Sequence, residues 1–272
     1  MGIRPDRSGA DDGDGAAIFQ IDTFTDHVFG GNPAAICPLD SWIDDDVMQA
    51  IAAENNLAET AFFVANGDGY DLRWFTPTME VDLCGHATLA SAFLIFERFT
   101  ADADILRFQT RSGELTVSRK DGLMYLDFPS YPGPAVDCPP ALADGLGAVP
   151  EEVIEGPNYA AVFETEADIA ALAPNMDTLA TLHPRGVIAT APGDICDFVS
   201  RFLGPSFCVP EDPVTGFAHC MLTPYWAARL AKDRLDARQL SKRGGALVCE
   251  DRGDGVAIGG QAVLCLEGKI TV

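Results

Sequence analysis

Lysine is scarce in this chain of 272 residues, with only Lys120, Lys232, Lys242 and Lys269. Eighteen Lys and Arg face 41 Asp and Glu, a formal net charge of -23. Nothing resembles a basic patch with interleaved aromatics, which argues against nucleic acid as a partner. Anionic membrane surfaces are disfavoured for the same reason. The acidity itself fits a hydrated surface in saline surroundings, or plain solubility. No apolar run is long enough to cross a bilayer, and no apolar leader follows Met1. The eight cysteines are scattered without a CxxC pair, so reduced and mostly buried thiols are expected rather than a disulfide framework. No GxxxxGK loop offers to cradle phosphates. These absences together predict a soluble, cytoplasmic protein.

What is present is a sizeable core: 47% of the residues are hydrophobic. Residues 1–15 are rich in Asp, Gly and Arg and read as a disordered extension. From Ala17 the chain alternates as strands do, through Ala17–Phe24, Ala34–Cys37, Glu59–Val64 and Tyr70–Phe75. A helix capped by Ser41 or Asp44 is expected to reach about Asn55. Later segments at Leu106–Thr110, Glu114–Ser118 and Met124–Phe128 form a meander with Ser-Gly and Asp-Gly turns. The proline-rich stretch 129–140 reads as a linker. Beyond it come strands at Tyr159–Glu164, Gly186–Thr190 and Cys196–Phe202, a short helix at Glu166–Leu172, and strands again from Ala246.

Two segments match across the chain. TPTMEVDLCGHATLASAFLIFERF and VPEDPVTGFAHCMLTPYWAARL each place an acidic loop and a glycine, Gly85 or Gly216, before a largely apolar helix. A helix apolar all round must be surrounded by protein. The expected architecture is therefore α+β, with similar halves at 16–129 and 130–272, each wrapping a curved sheet around one helix.

Only the helix N-termini then reach outside the core. Their free N–H groups and positive dipole ends form an anion site that needs no lysine. Gly85 and His86 from one helix, with Gly216 and Phe217 from the other, are candidates to hold a substrate carboxylate. Beside them stand His86 and Asp212. Glu59 opens a strand among apolar neighbours, where lost solvation should raise its pKa toward what a general acid/base requires. Each has a plain structural reading too: turn glycines, a core histidine, a turn aspartate before Pro213, an edge-strand carboxylate.

Eight motifs together resemble the PhzF family of phenazine-biosynthesis-like isomerases. They are Asp22-x-Phe24, Phe29-Gly-Gly-Asn-Pro33, Asn56-Leu-Ala-Glu-Thr-Ala-Phe62, Arg73-Trp-Phe-Thr-Pro77, Glu80–Thr88, Glu211–Gly216, Ala237–Gly245 and Ile258–Ala262. The resemblance implies a diaminopimelate-epimerase-like fold with a barrel-like sheet around a helix in each half. It also implies cofactor-independent proton transfer, a homodimer, Glu59 as acid/base, and His86 and Asp212 as substrate-positioning groups. Ala58 and Phe217 stand where that family often has serines, which implies a smaller or more apolar substrate. A thiol-based racemase would use Cys84, but the second helix mouth offers no matching cysteine. A binding protein that has lost its chemistry is the third reading. Cys84, His86, His219 and Cys220 fit no common zinc spacing, so no metal is expected. His27 and His183 are assigned no role, and Arg243 is read as steadying a turn.

Overall fold

A computed structural model describes residues 15–207 and 209–271. The proposed disordered extension lies, but for Gly15, outside the described residues. The first strands are β1 (Ala16–Thr23), β2 (Asn32–Leu39), β3 (Glu59–Asn66), β4 (Gly69–Phe75), β5 (Glu80–Val81), β6 (Ile105–Thr110), β7 (Gly113–Lys120) and β8 (Leu123–Pro129). Between them lie helices α1 (Asp45–Asn55) and α2 (Gly85–Arg98). Then follow β9 (Ala135–Val136), β10 (Glu152–Glu155), β11 (Tyr159–Val162), β12 (Val187–Pro192), β13 (Phe198–Gly204) and β14 (Val209–Asp212). Strands β15 (Arg234–Gln239), β16 (Gly245–Asp251), β17 (Gly255–Gly260) and β18 (Ala262–Ile270) end the chain. The later helices are α3 (Pro140–Leu146), α4 (Glu166–Ala171), α5 (Met176–Ala180) and α6 (Gly216–Leu230).

The pairing rule of the first strands recurs in the later ones. Strand β2 runs parallel to β3, β3 antiparallel to β4, and β4 pairs antiparallel with β5 and parallel with β6. Strands β7 and β8 continue as a meander. Likewise β11 runs parallel to β12, β12 antiparallel to β13, and β13 pairs with β14 and β15 before the meander of β16 and β17. In each set the crossover after the short strand carries the long apolar helix, α2 or α6. Strands β8 and β17 pair antiparallel and join the two sets.

Helix α2 is buried on nearly every side, from His86 through Phe96. Its two buried hydroxyls are satisfied within the helix. The Thr88 hydroxyl donates to the Cys84 carbonyl at 2.6 Å and the Ser91 hydroxyl to the Ala87 carbonyl at 2.8 Å. Helix α6 solves the same problem at Thr223, which donates to the His219 carbonyl. Pro224 lies inside α6 and has no N–H for the carbonyl four residues back. That carbonyl, of Cys220, instead accepts from the Tyr131 backbone N–H at 3.0 Å. The proline thus frees an acceptor that fastens the 129–140 stretch to the helix. Tyr131 is thereby set against Phe217, with ring centroids 5.5 Å apart.

Beyond the unanticipated strands β10 and β15 and helix α3, three features differ from the sequence expectation. The proline-rich stretch contains β9, which pairs with β10, and it runs straight into α3. The last strand, β18, crosses back to pair with β1 along its whole length. The short helix α5, capped by the Asn175 side chain, was not anticipated. The seven described cysteines are free thiols. Among the described residues no helix is long and apolar enough to cross a membrane.

Candidate active site

The two helix tips converge on one aromatic ring. A Cβ placed on Gly85 would lie 2.9 Å from Phe128 Cζ, and one on Gly216 would lie 4.0 Å from Phe128 Cε2. Gly85 is therefore glycine by steric demand, since the buried ring leaves no room for a methyl group. Gly216 has no such demand from its neighbours. The N-cap residues are Cys84 and Thr215, and neither caps its helix through the side chain. Neither helix has an acidic residue in its first turn. The tips thus keep unsatisfied N–H groups and an uncompensated dipole end.

A cleft of about 460 Å³ opens beside them, lined by Glu59, Leu83, Gly85, Phe128, Pro157, Asn158, Phe202 and Phe217. A larger hollow of about 580 Å³ lies around Arg238 and Arg243, and none of the expected acid–base residues lines it. Glu59, first residue of β3, has a side chain 20% exposed. Burial pushes its pKa from 4.5 up to about 7, partly offset by the Cys84 thiol. His86 Nε2 lies 3.4 Å from Glu59 Oε2. The two atoms are close without hydrogen-bond alignment, and both are buried without a partner. Burial lowers the His86 pKa, against the opposing pull of the Asp212 charge and the Pro33 carbonyl. His86 is therefore a neutral imidazole near neutral pH. Its Nδ1 stands 3.5 Å from Cys84 Sγ.

Asp212 ends β14, and burial raises its pKa despite His86, Thr215 and Asn32 beside it. The Thr215 hydroxyl donates to Asp212 Oδ2 and accepts from Gln239 Nε2 at 3.2 Å, and it accepts no N–H of α6. Asn32 Nδ2 donates to Asp212 Oδ1 at 2.9 Å and to the Val214 carbonyl at 2.8 Å. Gln239 accepts from the Thr215 N–H at 2.9 Å and donates to the Asp212 carbonyl at 2.8 Å. Sequence reasoning missed Asn32 and Gln239 as holders of Asp212. Asn32 sits inside the Phe29–Pro33 motif, to which the resemblance assigned no site role.

That turn is clamped from the far end of the chain. Arg243 donates to the Gly31 carbonyl at 2.8 Å, the Gly30 carbonyl at 2.7 Å and Asp22 Oδ1 at 2.9 Å. Asp22 is wholly buried, and its Oδ2 accepts the Phe29 N–H. A Cβ on Gly31 would fall 1.9 Å from the Thr23 carbonyl oxygen, and its φ is +57°. Only glycine permits this tight return. Arg243 does steady a turn, and that turn carries Asn32 to Asp212.

Of the expected residues, Glu59, Gly85 and Phe217 line the cleft; Cys84 and His86 lie against Glu59, Asp212 is close enough to interact with both His86 and Glu59, and Gly216 stands near Phe128. The four residues weighed for zinc do not form a set. His219 Nδ1 is 2.8 Å from the Thr215 carbonyl oxygen, and Cys220 donates to the Gly216 carbonyl. Among the described residues Glu59, Cys84 and His86 form a tighter group of potential ligand atoms. Burial holds the Cys84 thiol well above its usual pKa, which opposes the thiolate a metal would need.

The phenazine biosynthesis-like protein model, PhzC-PhzF, matches residues 21–268. The chain belongs to this family. An uncharacterized isomerase of Pseudomonas aeruginosa is 50% identical over 253 residues, covering 93% of this chain and 98% of the relative. An uncharacterized isomerase of Halalkalibacterium halodurans is 45% identical over 260 residues, covering 93% and 97%. The crystal structure of a PhzF family protein from Enterococcus faecalis superposes with a TM-score of 0.93 at 43% identity, covering 95% of this chain and all of that one. The PhzF-like chain has the diaminopimelate-epimerase-like fold and is an isomerase.

Proposed function

We propose that this isomerase moves a proton on a small carboxylate-bearing substrate without a cofactor, with Glu59 as the acid/base. The observation that carries the reading is a carboxyl group with a pKa near 7 at the foot of a cleft flanked by two uncapped helix tips. The substrate carboxylate is held by the N–H groups at Gly85 and Gly216 and their neighbours. Glu59 in its ionised form takes the proton alpha to an activated carbon. As the neutral acid it returns that proton to another carbon on the same face. Neutral His86 and the Asp212 carboxyl, held by Asn32 and Thr215, orient the substrate and polarise its developing charge. The family resemblance supports the same three roles.

The thiol-based alternative fares poorly. Two-sided proton transfer needs an acid/base on each face, and the second tip presents Thr215, whose hydroxyl is engaged by Asp212. The Cys84 thiol is buried and its pKa is pushed far up.

Solvent-deuterium exchange tests the proposal. A panel of small unsaturated carboxylic acids in D2O is followed by NMR with wild type, Glu59→Gln and Cys84→Ser. Glu59→Gln should slow exchange by about 10²–10⁴-fold, with substrate affinity nearly intact, and Cys84→Ser should keep most of it. Unchanged exchange in Glu59→Gln, or its loss only in Cys84→Ser, moves the acid/base role elsewhere.

A further inference from the structure

Asn158 lines the same cleft as Glu59, and nothing in the chemistry above uses it. It lies in the turn between β10 and β11 and is 3% exposed. Its Oδ1 accepts the Gly186 N–H at 3.0 Å. Because only the carbonyl oxygen can accept, this bond fixes which way round the amide lies. The NH2 group is then committed to donate, yet Nδ2 is buried and has no partner. Buried amide donors are paired in nearly all native interiors. The side chain belongs to a residue that lines the same cleft as Glu59, Gly85 and Phe217.

The surroundings hold Asn158 in place. The Gly156 N–H donates to the Asn158 carbonyl at 3.0 Å, closing the turn. Arg185 donates to the Gly156 carbonyl at 3.1 Å and pairs with Glu155 at 3.1 Å. A Cβ on Gly186 would lie 3.0 Å from Asn158 Oδ1 and 2.8 Å from Phe202 Cζ, so the glycine makes room for both. The remaining walls, Phe128, Phe202 and Phe217, are apolar.

We propose that Asn158 is a specificity-determining residue whose Nδ2 donates a hydrogen bond to a second oxygen of the substrate, remote from the carboxylate held at the helix tips. This rests on the anion-site reading of those tips. The ligand class is then a small acid with an apolar, unsaturated body and a second acceptor oxygen at its far end. A donor left empty by a ligand without that oxygen penalises binding, so the site selects against simple monoacids.

Matched acids test this by NMR on 15N-labelled protein. Crotonate against fumarate, and sorbate against muconate, differ chiefly in a second carboxylate at the far end. All four should shift the backbone amides of Gly85 and Gly216. At least one diacid should also shift the Asn158 side-chain NH2 and bind about tenfold more tightly than its monoacid partner. Asn158→Asp keeps an acceptor for the Gly186 N–H but presents an oxygen where the donor was. It should erase most of that preference above neutral pH while retaining the tip shifts. The wild-type resonance test stands even if that variant folds poorly. Tip amides that move while the Asn158 NH2 stays still for every diacid, or a preference that survives Asn158→Asp, overturn the inference. Tip amides that move for none of the four acids overturn the anion-site reading, and the inference with it.

Discussion

An acid/base tuned by burial should cost the fold stability, and the cost should depend on pH. Glu59 has an ordinary value of 4.5 that burial lifts to about 7. The neutral acid is therefore favoured in the folded state. Below the unfolded value both states hold the proton, and Glu59 imposes no ionisation penalty. As pH rises above 4.5 the unfolded chain ionises first and gains relative to the fold. The penalty levels off once pH passes the folded value. Linkage gives a cost of about 0.8 kcal/mol at about pH 5 and about 3 kcal/mol at about pH 8. Glu59→Gln cannot ionise, so it should match wild type near pH 4 and exceed it increasingly toward pH 8. With about 2–4 °C per kcal/mol for a chain of this size, the gain in Tm near pH 8 is about 6–12 °C. Paired thermal and urea melts of the two proteins at both pH values measure it, and the other titrating groups largely cancel in the difference. A variant no more stable than wild type at pH 8, or equally stabilised at both, would refute the argument that Glu59 is a desolvated acid.

Other predictions follow from the packing around the cleft. Gly85→Ala should lower stability by about 1–3 kcal/mol through overpacking against Phe128, while Gly216→Ala should fold as well as wild type; thermal melts compare the two directly. Arg243→Ala leaves Asp22 buried without its cation and should cost about 3 kcal/mol, seen in urea melts. It should also lower kcat more than it raises KM, because the loosened turn carries Asn32 away from Asp212. Arg243→Lys, which keeps the charge but not the three-way donation, should recover stability better than turnover.

Much of the fold was legible because its signals are local. Helix α6 runs over the residues expected for it, Gly216–Leu230, and α2 was announced by an apolar run too long for a strand. Alternation marked β1, β3, β4 and the meander of β6, β7 and β8. What escaped was set by distant partners. β9 hides in a proline-rich stretch, because its strand character comes from pairing with β10. The crossing of β18 to β1 joins the two ends of the described chain, and no local pattern reports it. Helix α5 is only five residues long, too short to show a period.

The site divides in the same way. Glu59, Cys84, Gly85, His86, Asp212, Gly216 and Phe217 were singled out because residue type, position at or beside a helix tip and motif resemblance coincide. Asn32 was visible in the FGGNP motif, but its job required knowing that Asp212, 180 residues away, would meet it. Asn158 carries no signal at all in Gly-Pro-Asn. Its meaning lies in one bond to Gly186 and one amide donor without a partner.

The central claim is that two helix tips and one desolvated carboxyl group share a ligand. A crystal of the wild-type protein soaked with fumarate and muconate measures this most directly. The account predicts a carboxylate accepting N–H groups at the Gly85 and Gly216 tips, with a ligand carbon alpha to it within about 3.5 Å of a Glu59 carboxyl oxygen. An acid bound instead at the Arg238 and Arg243 hollow, or one held at the tips with Glu59 turned away from every ligand carbon, would contradict it.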